Sequence, residues 1–547
     1  MVTKRARPSD PLRSADRPVT RRPWLVLAIM CIGFFMSLLD GSIVNVAVPT
    51  LIHGIDASYD QVLWVIDGYL PVFSVLLITT GRLGDIFGYR RLYVIGIITF
   101  TIASALCGPA DSPAWLLTAR LLQGLGGALL FPQVISSILT IFPPHLRGRA
   151  FGLFGAIVGF APIVGFAPIV GPVTGGFLLA HLSWRWIFFI NVPIGIITVV
   201  LALRFAPPLR SGRTHRLDLV GVALATAGLG GIVFGLIEGE RYDWGTITGP
   251  VTITSVIALG AVLLAVFVLW QHRRRDEPLM PLALFGVRDF AVGNAVGFVF
   301  QLGMIGIMFV LVLYLQMARG YSALETGLVV LPNAALTAAG SAYAGRLSDK
   351  FGGKYILMAG TTLLAVGLLV LVAMTGPTSS AWNLLPGLTI IGIASGATFA
   401  PLQQATMNGV DPRLAGAASG VSSTIRQVGG VLGTAMLGAL LSARLSAALH
   451  SEAEKRAGQL PEDLRARFVD NSTAAARHYS PPTPPGGLSP TTTSLYERLT
   501  ADTFATGFVH AMQTTLVACA MVLVAAVLLC FLFSPRNKPT TEPTQKR

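Results

Sequence analysis

Three ionisable side chains interrupt apolar stretches in the first quarter of the chain: Asp40, Asp67 and Arg120. A charge at the middle of a bilayer costs at least ~2.5–3.5 kcal/mol, so each of these invites a functional reading. Asp40 lies sixteen residues beyond Trp24, ~24 Å along a helix that rises 1.5 Å per residue. Arg120 follows Trp115 by five residues and Asp67 follows Gln61 by six, which puts both ~8–10 Å from the opposite face. All three therefore share a depth. An Arg120 facing Asp40 or Asp67 holds that carboxylate ionised, and a proton or a cationic substrate can compete for it. The plainer alternative is a static ion pair tying the fourth span to the first or second, and Asp67 can also lie near enough to the interface to be wet. Arg426, near mid-depth of a later span, can pair with a backbone carbonyl or snorkel toward the nearer face. Glu238 and Glu325 fall at outer span ends, where solvation is expected.

A second signal is a repeat. Gly81-Arg82-Leu83-Gly84-Asp85-Ile86-Phe87-Gly88 recurs as Gly345-Arg346-Leu347-Ser348-Asp349-Lys350-Phe351-Gly352, each time after the second span of a six-span group. The expected structure is a tight interhelical turn. Its glycines Gly81, Gly88, Gly345 and Gly352 permit the bend. Asp85, like Asp349, accepts hydrogen bonds from Arg82, or Arg346, or from a neighbouring helix end. Arg90 and Arg91 fall at headgroup depth. A plain charged turn accounts for one copy but not for two at equivalent places, which favours a conformational latch.

The elements that must position these residues are membrane helices. Of 547 residues, 53% are hydrophobic and 12% charged, against roughly 25% charged in soluble domains. Stretches such as Trp24 to Leu39, Val251 to Trp270 and Thr515 to Phe533 reach the ~17–25 apolar residues that a crossing helix needs. A β-barrel would show short alternating segments instead. The pattern predicts an all-α polytopic membrane protein of fourteen spans, at about 24–50, 61–80, 92–109, 114–140, 150–180, 185–205, 218–238, 249–271, 290–317, 323–344, 355–375, 381–407, 415–442 and 506–533. The repeat divides these into a disordered tail 1–22, a six-helix bundle 23–205, a two-helix insert 206–289, a second bundle 290–534 and a tail 535–547. A long outer loop, 443–505, is expected to hold a short surface helix at 451–468 and a flexible Pro- and Thr-rich linker at 480–493.

With both termini cytoplasmic, inner segments collect about 28 of the 40 basic residues, while the short outer loops hold Arg185, Arg241 and Arg319. The net charge of +14 is thus a topology signal and not a nucleic-acid surface. Cys31, Cys107, Cys519 and Cys530 lie singly in apolar segments and suggest neither disulfide nor metal site. No Gly-x-x-x-x-Gly-Lys-Ser/Thr loop or HExxH set occurs, so no nucleotide, metal or other cofactor is expected.

The Gly-x-Leu-x-Asp-x-x-Gly-basic-basic loop resembles that of the major facilitator superfamily. Leu39-Asp40-Gly41-Ser42-Ile43-Val44-Asn45-Val46-Ala47-Val48-Pro49, Arg120-Leu121-Leu122-Gln123-Gly124, Gly171-Pro172-Val173-Thr174-Gly175-Gly176 and Trp184 to Pro193 are together similar to the fourteen-span drug:proton antiporters, the EmrB/QacA-like multidrug exporters. That resemblance implies the major facilitator fold, two six-helix bundles plus two additional helices. It also implies proton-driven export of lipophilic drugs or antibiotics, with functional roles for Asp40 and Arg120. The fifth span departs from the pattern: Gly159 to Val164 is repeated at once as Gly165 to Val170, where one copy is expected. Six residues add ~9 Å and ~240° of helix, so the first copy should extend or kink the span. The gating motif is then assigned to Gly165, Pro168, Gly171, Pro172, Gly175 and Gly176. The expected protein is a multi-pass exporter in a bacterial inner membrane, driven by the proton gradient and sufficient as a monomer. A metabolite permease of the same fold is the alternative.

Overall fold

The computed structural model describes residue 20, residues 22–44, 68–166, 183–208, 217–274 save 240 and 243, 278–477, and 479–534 save 480 and 487, with a few more between 44 and 68. In a bilayer every backbone polar group must be satisfied within the chain, and helices do this locally. The first bundle holds α1 (Pro23–Ile43), α2 (Tyr69–Phe87), α3 (Tyr89–Cys107), α4 (Pro113–Ile141), α5 (Arg147–Phe166) and α6 (Asn191–Phe205). An inserted pair follows, α7 (Leu219–Glu238) and α8 (Ile253–Arg273), joined by the two-stranded hairpin Thr246–Thr248 and Val251–Thr252. The second bundle holds α9 (Arg288–Leu313), α10 (Ala323–Phe351), α11 (Gly353–Met374), α12 (Ala381–Thr406), α13 (Ala415–Ala457) and α15 (Pro490–Cys530), with α14 (Glu462–Ala474) between the last two. Among the described residues, thirteen helices are long and apolar enough to cross a membrane.

One apolar core fills the first bundle and extends into the insert and the start of α13, and a second lies within the second bundle. Beside contacts of α5 with α12 and of α4 with α13, the halves meet chiefly along two helix pairs, α2 with α13 and α5 with α10. These pairs are equivalents: α2 and α10 are second in their bundles, α13 and α5 fifth. Small residues allow the approach, because a Cβ at Gly81 would overlap the Gly416 carbonyl and one at Gly345 the Gly148 carbonyl. The insert is held together in the same way, since a Cβ at Gly260 would come 2.8 Å from the Gly228 carbonyl oxygen. Its α7 packs on α2 and α13, covering one of the two seams. Large apolar side chains on its outer face, among them Leu259, Val262 and Leu269, are exposed, as a lipid-facing surface requires.

Three expectations need correction. The helix of the second span continues to Phe87, so Gly81, Arg82 and Asp85 are helical, as are Gly345, Arg346 and Asp349 in α10. Only Gly88 (φ 94°) and Gly352 (φ 89°) turn the chain, in a region that only glycine enters at little cost. The outer segment 443–505 is not a loose loop. Forty-three residues of α13 extend ~65 Å, about twice the ~30 Å hydrocarbon core, and α15 begins already at Pro490. Their outer ends pack with α14 around Ala453, Ala457, Leu464, Phe468, Tyr496 and Leu499. Glu238 is buried, and Arg241 lies 3.4 Å from its carboxylate.

Candidate functional site

Helices α1, α4 and α6 bring four polar residues together in the first bundle. Asp40, 0% exposed, is paired with Arg120, 1% exposed. The Asp40 carboxylate accepts from Arg120 Nη1, from Gln123 Nε2 at 3.0 Å and from Asn191 Nδ2 at 2.7 Å. Asp40 sits seventeen residues from the start of α1, ~26 Å along the helix, which agrees with the depth read from sequence.

The other partners of Arg120 are neutral. Its Nη1 also donates to Gln123 Oε1 at 2.8 Å, its Nε donates to the Val65 carbonyl at 3.2 Å, and the guanidinium lies 5.1 Å from the centre of the Tyr69 ring. Tyr69 and Ser37 share a hydrogen bond of 2.7 Å, while Asn191 also reaches Ser104, which donates to the Phe188 carbonyl. Asn191 Oδ1 is buried without a hydrogen-bond partner, an acceptor available beside the carboxylate. A proton arriving on Asp40 would remove the charge pair, and the guanidinium would still be held by a carbonyl, an amide and an aromatic face. The cluster can therefore change charge without dismantling its scaffold.

The sequence motifs contained Gln123 and Asn191 but gave them no role, and Ser104 and Tyr69 were missed. The i, i+3 spacing of Arg120 and Gln123, which puts both on one helix face, was the available signal. Asp67 lies outside the described residues. So do Pro168, Gly171, Pro172, Gly175 and Gly176, and the backbone at Gly165 is the penultimate residue of α5.

The repeated motif forms two reciprocal contacts at the other end of the bundles. Asp85 accepts from the backbone N–H of Gly416 at 2.8 Å and of Ala417 at 2.9 Å, the first turn of α13. Tyr89 donates to the same carboxylate at 2.8 Å, and Arg82 lies 3.8 Å away. Asp349 accepts from the N–H of Gly148 at 2.7 Å and of Arg149 at 2.9 Å, the first turn of α5. Each half thus places a carboxylate on a helix N-terminus of the other, where orphan N–H groups and the helix dipole favour negative charge. Arg346 lines a cavity of about 500 Å³ between the halves, with Trp24, Arg149 and Leu153.

Arg90 does something different from the headgroup contact expected of it. It donates to the Leu203 carbonyl at 2.5 Å, and its counterpart Lys354 donates to the Phe531 and Phe533 carbonyls at 2.9 and 2.7 Å. Both cap the C-terminal end of the sixth helix of their own half. Arg91 is exposed.

Known proteins resemble this chain in sequence and in fold. Over 438 residues the chain is 35% identical to a probable actinorhodin transporter of Streptomyces coelicolor, covering 78% of this chain and 74% of that one. It is 33% identical over 428 residues to a tetracenomycin C resistance and export protein of Streptomyces glaucescens, covering 77% of each. The fold matches that of the proton:xylose symporter XylE with a TM-score of 0.58 at 13% identity, over 94% of this chain and 96% of that one. The model of the Major Facilitator Superfamily matches residues 30–434, and the chain belongs to that superfamily.

Proposed function

We propose that this protein is a proton-coupled exporter of lipophilic small molecules, of the drug or antibiotic class, working by alternating access between its two halves. The observation that carries the reading is the buried Asp40 carboxylate, paired with an Arg120 whose other ligands are neutral and stay in place when a proton neutralises the pair. Names of relatives point the same way: actinorhodin transport, tetracenomycin C export and resistance, and puromycin resistance. Export is favoured over uptake of a metabolite for that reason.

Fourteen spans with both termini cytoplasmic follow if α5, whose far end lies outside the described residues, completes the thirteen candidate crossings. The concentration of Lys and Arg on one side supports that orientation and a bacterial inner-membrane location. In this frame the two latches close the cytoplasmic side, and opening toward the cytoplasm must break both. Asp67 is a second carboxylate for the proton on depth alone, and Gly165 to Gly176 a gating element of the fifth span. The energy source is the proton gradient, with no cofactor, and one chain suffices.

The test is efflux of a lipophilic cation from vesicles under an imposed ΔpH, with Asp40→Asn and Arg120→Ala beside the parent. Both variants should lose pH-driven transport by at least ~100-fold, as expected where a transition needs a buried charge to be made and unmade. Full ΔpH-driven efflux in both variants would show that the pair is only structural.

A further inference from the structure

Arg426, on α13, is 7% exposed, and no carboxylate among the described residues pairs with it. This sets it apart from Arg120 and Arg82, the other deeply buried arginines. Its guanidinium rests on neutral groups: Nη1 donates to Gln403 Oε1 at 3.1 Å and Nη2 to Ser423 Oγ at 3.3 Å, the second long. Ser423 gives its own proton to the Ser419 carbonyl at 2.6 Å. Gln403, on α12, is fully buried, with its oxygen turned to Arg426 and its Nε2 lacking any partner. On α9 the facing residue is Gly297, where a Cβ would already lie 3.4 Å from Arg426 Cγ.

The set is one-sided. A cation and an unpaired amide donor stand side by side inside the membrane, with no anion to meet them. A buried charge without a counter-ion is strongly unfavourable, and neutral dipoles offset only part of the cost. The guanidinium fork is planar and suited to two-point recognition of an oxyanion, and the Gln403 amide adds a third donor.

We infer that Arg426 and Gln403 form an anion-binding subsite in the second half, which takes the carboxylate, sulfonate or phenolate of a lipophilic weak acid. This rests on the proposed export function and adds acidic aromatic or aliphatic molecules to the substrates it takes. Arg426 is eleven residues into α13, ~17 Å from the latch end, whereas Asp40 is ~26 Å along α1. The two charged sites differ in depth and in half, so the acid and the proton do not compete for one group.

The probes are 2-naphthoate and its neutral twin 2-naphthamide, titrated against the full chain in nanodiscs at pH 7.5 with no gradient. The parent should bind naphthoate ~10-fold or more tightly than the amide, the scale of one charge-assisted contact. Arg426→Gln should make the two affinities equal. Arg426→Lys should keep part of the preference, and Gln403→Leu should reduce it ~3-fold with the charge still present. Equal binding by the parent, or a preference that survives Arg426→Gln, overturns the subsite. Should Arg426→Gln not fold, the Lys and Leu variants decide, because a preference unmoved in both has the same meaning. Asp40→Asn should leave the preference intact, so loss of ΔpH-driven efflux alongside normal naphthoate binding counts against neither the subsite nor its geometry, while efflux insensitive to Asp40 sinks the coupling alone.

Discussion

Asp85→Asn should loosen the seam between the halves by an amount that the geometry fixes. The carboxylate holds the two first-turn N–H groups of α13 at 2.8 and 2.9 Å, and these bonds exist only while the halves are closed at this end. The amide keeps one acceptor oxygen, loses one of the two bonds and loses the charge that faces the helix dipole. Losing a capping bond costs ~0.5–2 kcal/mol and the charge–dipole term ~0.3–1 kcal/mol, together ~0.8–3 kcal/mol. At 1.4 kcal/mol per decade, the latched fraction falls ~4–140-fold relative to the open one. Pulsed electron–electron resonance between nitroxides at Phe87 and Arg413, both exposed, reads that ratio, and the four native cysteines are buried. Asp349→Asn should act with similar size on the other seam, and the double variant should shift the ratio by about the product. Tyr89→Phe removes a bond to Asp85 within one half and should shift the ratio far less than Asp85→Asn. A double variant with the parent's distance distribution would refute the latch.

Asp218 ties the insert: it accepts from Gly221 N–H, Gln271, Trp270 and Arg274. Burial pushes its pKa up, but those bonds and the Arg274 charge outweigh it and hold the carboxyl below the ordinary value. A lowered folded pKa gives stability that is present above the unfolded value of ~3.9 and is lost as pH falls through the folded one. Asp218→Ala should therefore lower Tm by the same margin at every pH from 8 to 5, at a cost of ~1–3 kcal/mol, and a margin that shrinks within that window contradicts the assignment. Phe468→Ala removes a fully buried ring from the outer cap, costing ~3–5 kcal/mol there, and should expose residues 475–489 to protease without changing efflux driven through the bundles. Gly126→Val should abolish the folded protein in size-exclusion profiles, because a Cβ there comes 2.7 Å from the Phe100 backbone nitrogen.

Much of this was legible in the chain because the bilayer imposes it. Apolar runs and the Lys and Arg bias mark the spans, and shared depth set Arg120 opposite either Asp40 or Asp67, of which Asp40 is its partner in the structure. What the pattern hides is where a helix ends once it leaves lipid. Gly81 to Asp85 carries charge, so it read as a loop, yet it is helical because α13 packs on it and caps Asp85. Residues 443–457 and 490–505 are polar for the same reason that surface helices are, and only their contacts with α14 distinguish a folded cap from a loop. Glu238 is of that kind too, since its ion pair with Arg241 is invisible to depth counting. Asn191 stayed hidden because neutral polar residues carry no desolvation alarm, and its role depends on α6 crossing α1.

The two halves repeat their mechanics but not their chemistry. Gly-Ala-x-x-x-Pro aligns Pro132 of α4 with Pro401 of α12, and twelve residues earlier Arg120 faces Thr389 in that register. The pair Gly148 and Gly152 aligns with Gly416 and Gly420, and six residues later Val158 stands where the second half has Arg426. Latch carboxylates, crossing glycines and the basic caps at Arg90 and Lys354 occur in both copies, so each half can grip and release the other by the same motion. The buried charges do not. A rocking machine needs its hinges symmetric so that both faces open with comparable ease, whereas coupling needs the sites to differ, because a proton and a substrate held by identical sites would be indistinguishable to the protein. Under the proposed coupling, the buried Asp40–Arg120 pair in the first half and Arg426, without a carboxylate partner among the described residues, in the second satisfy both requirements. It predicts that introducing an acid at position 158 or 389 disturbs coupling more than the same change at an equally buried but unaligned site, an effect that the ΔpH efflux assay reads directly.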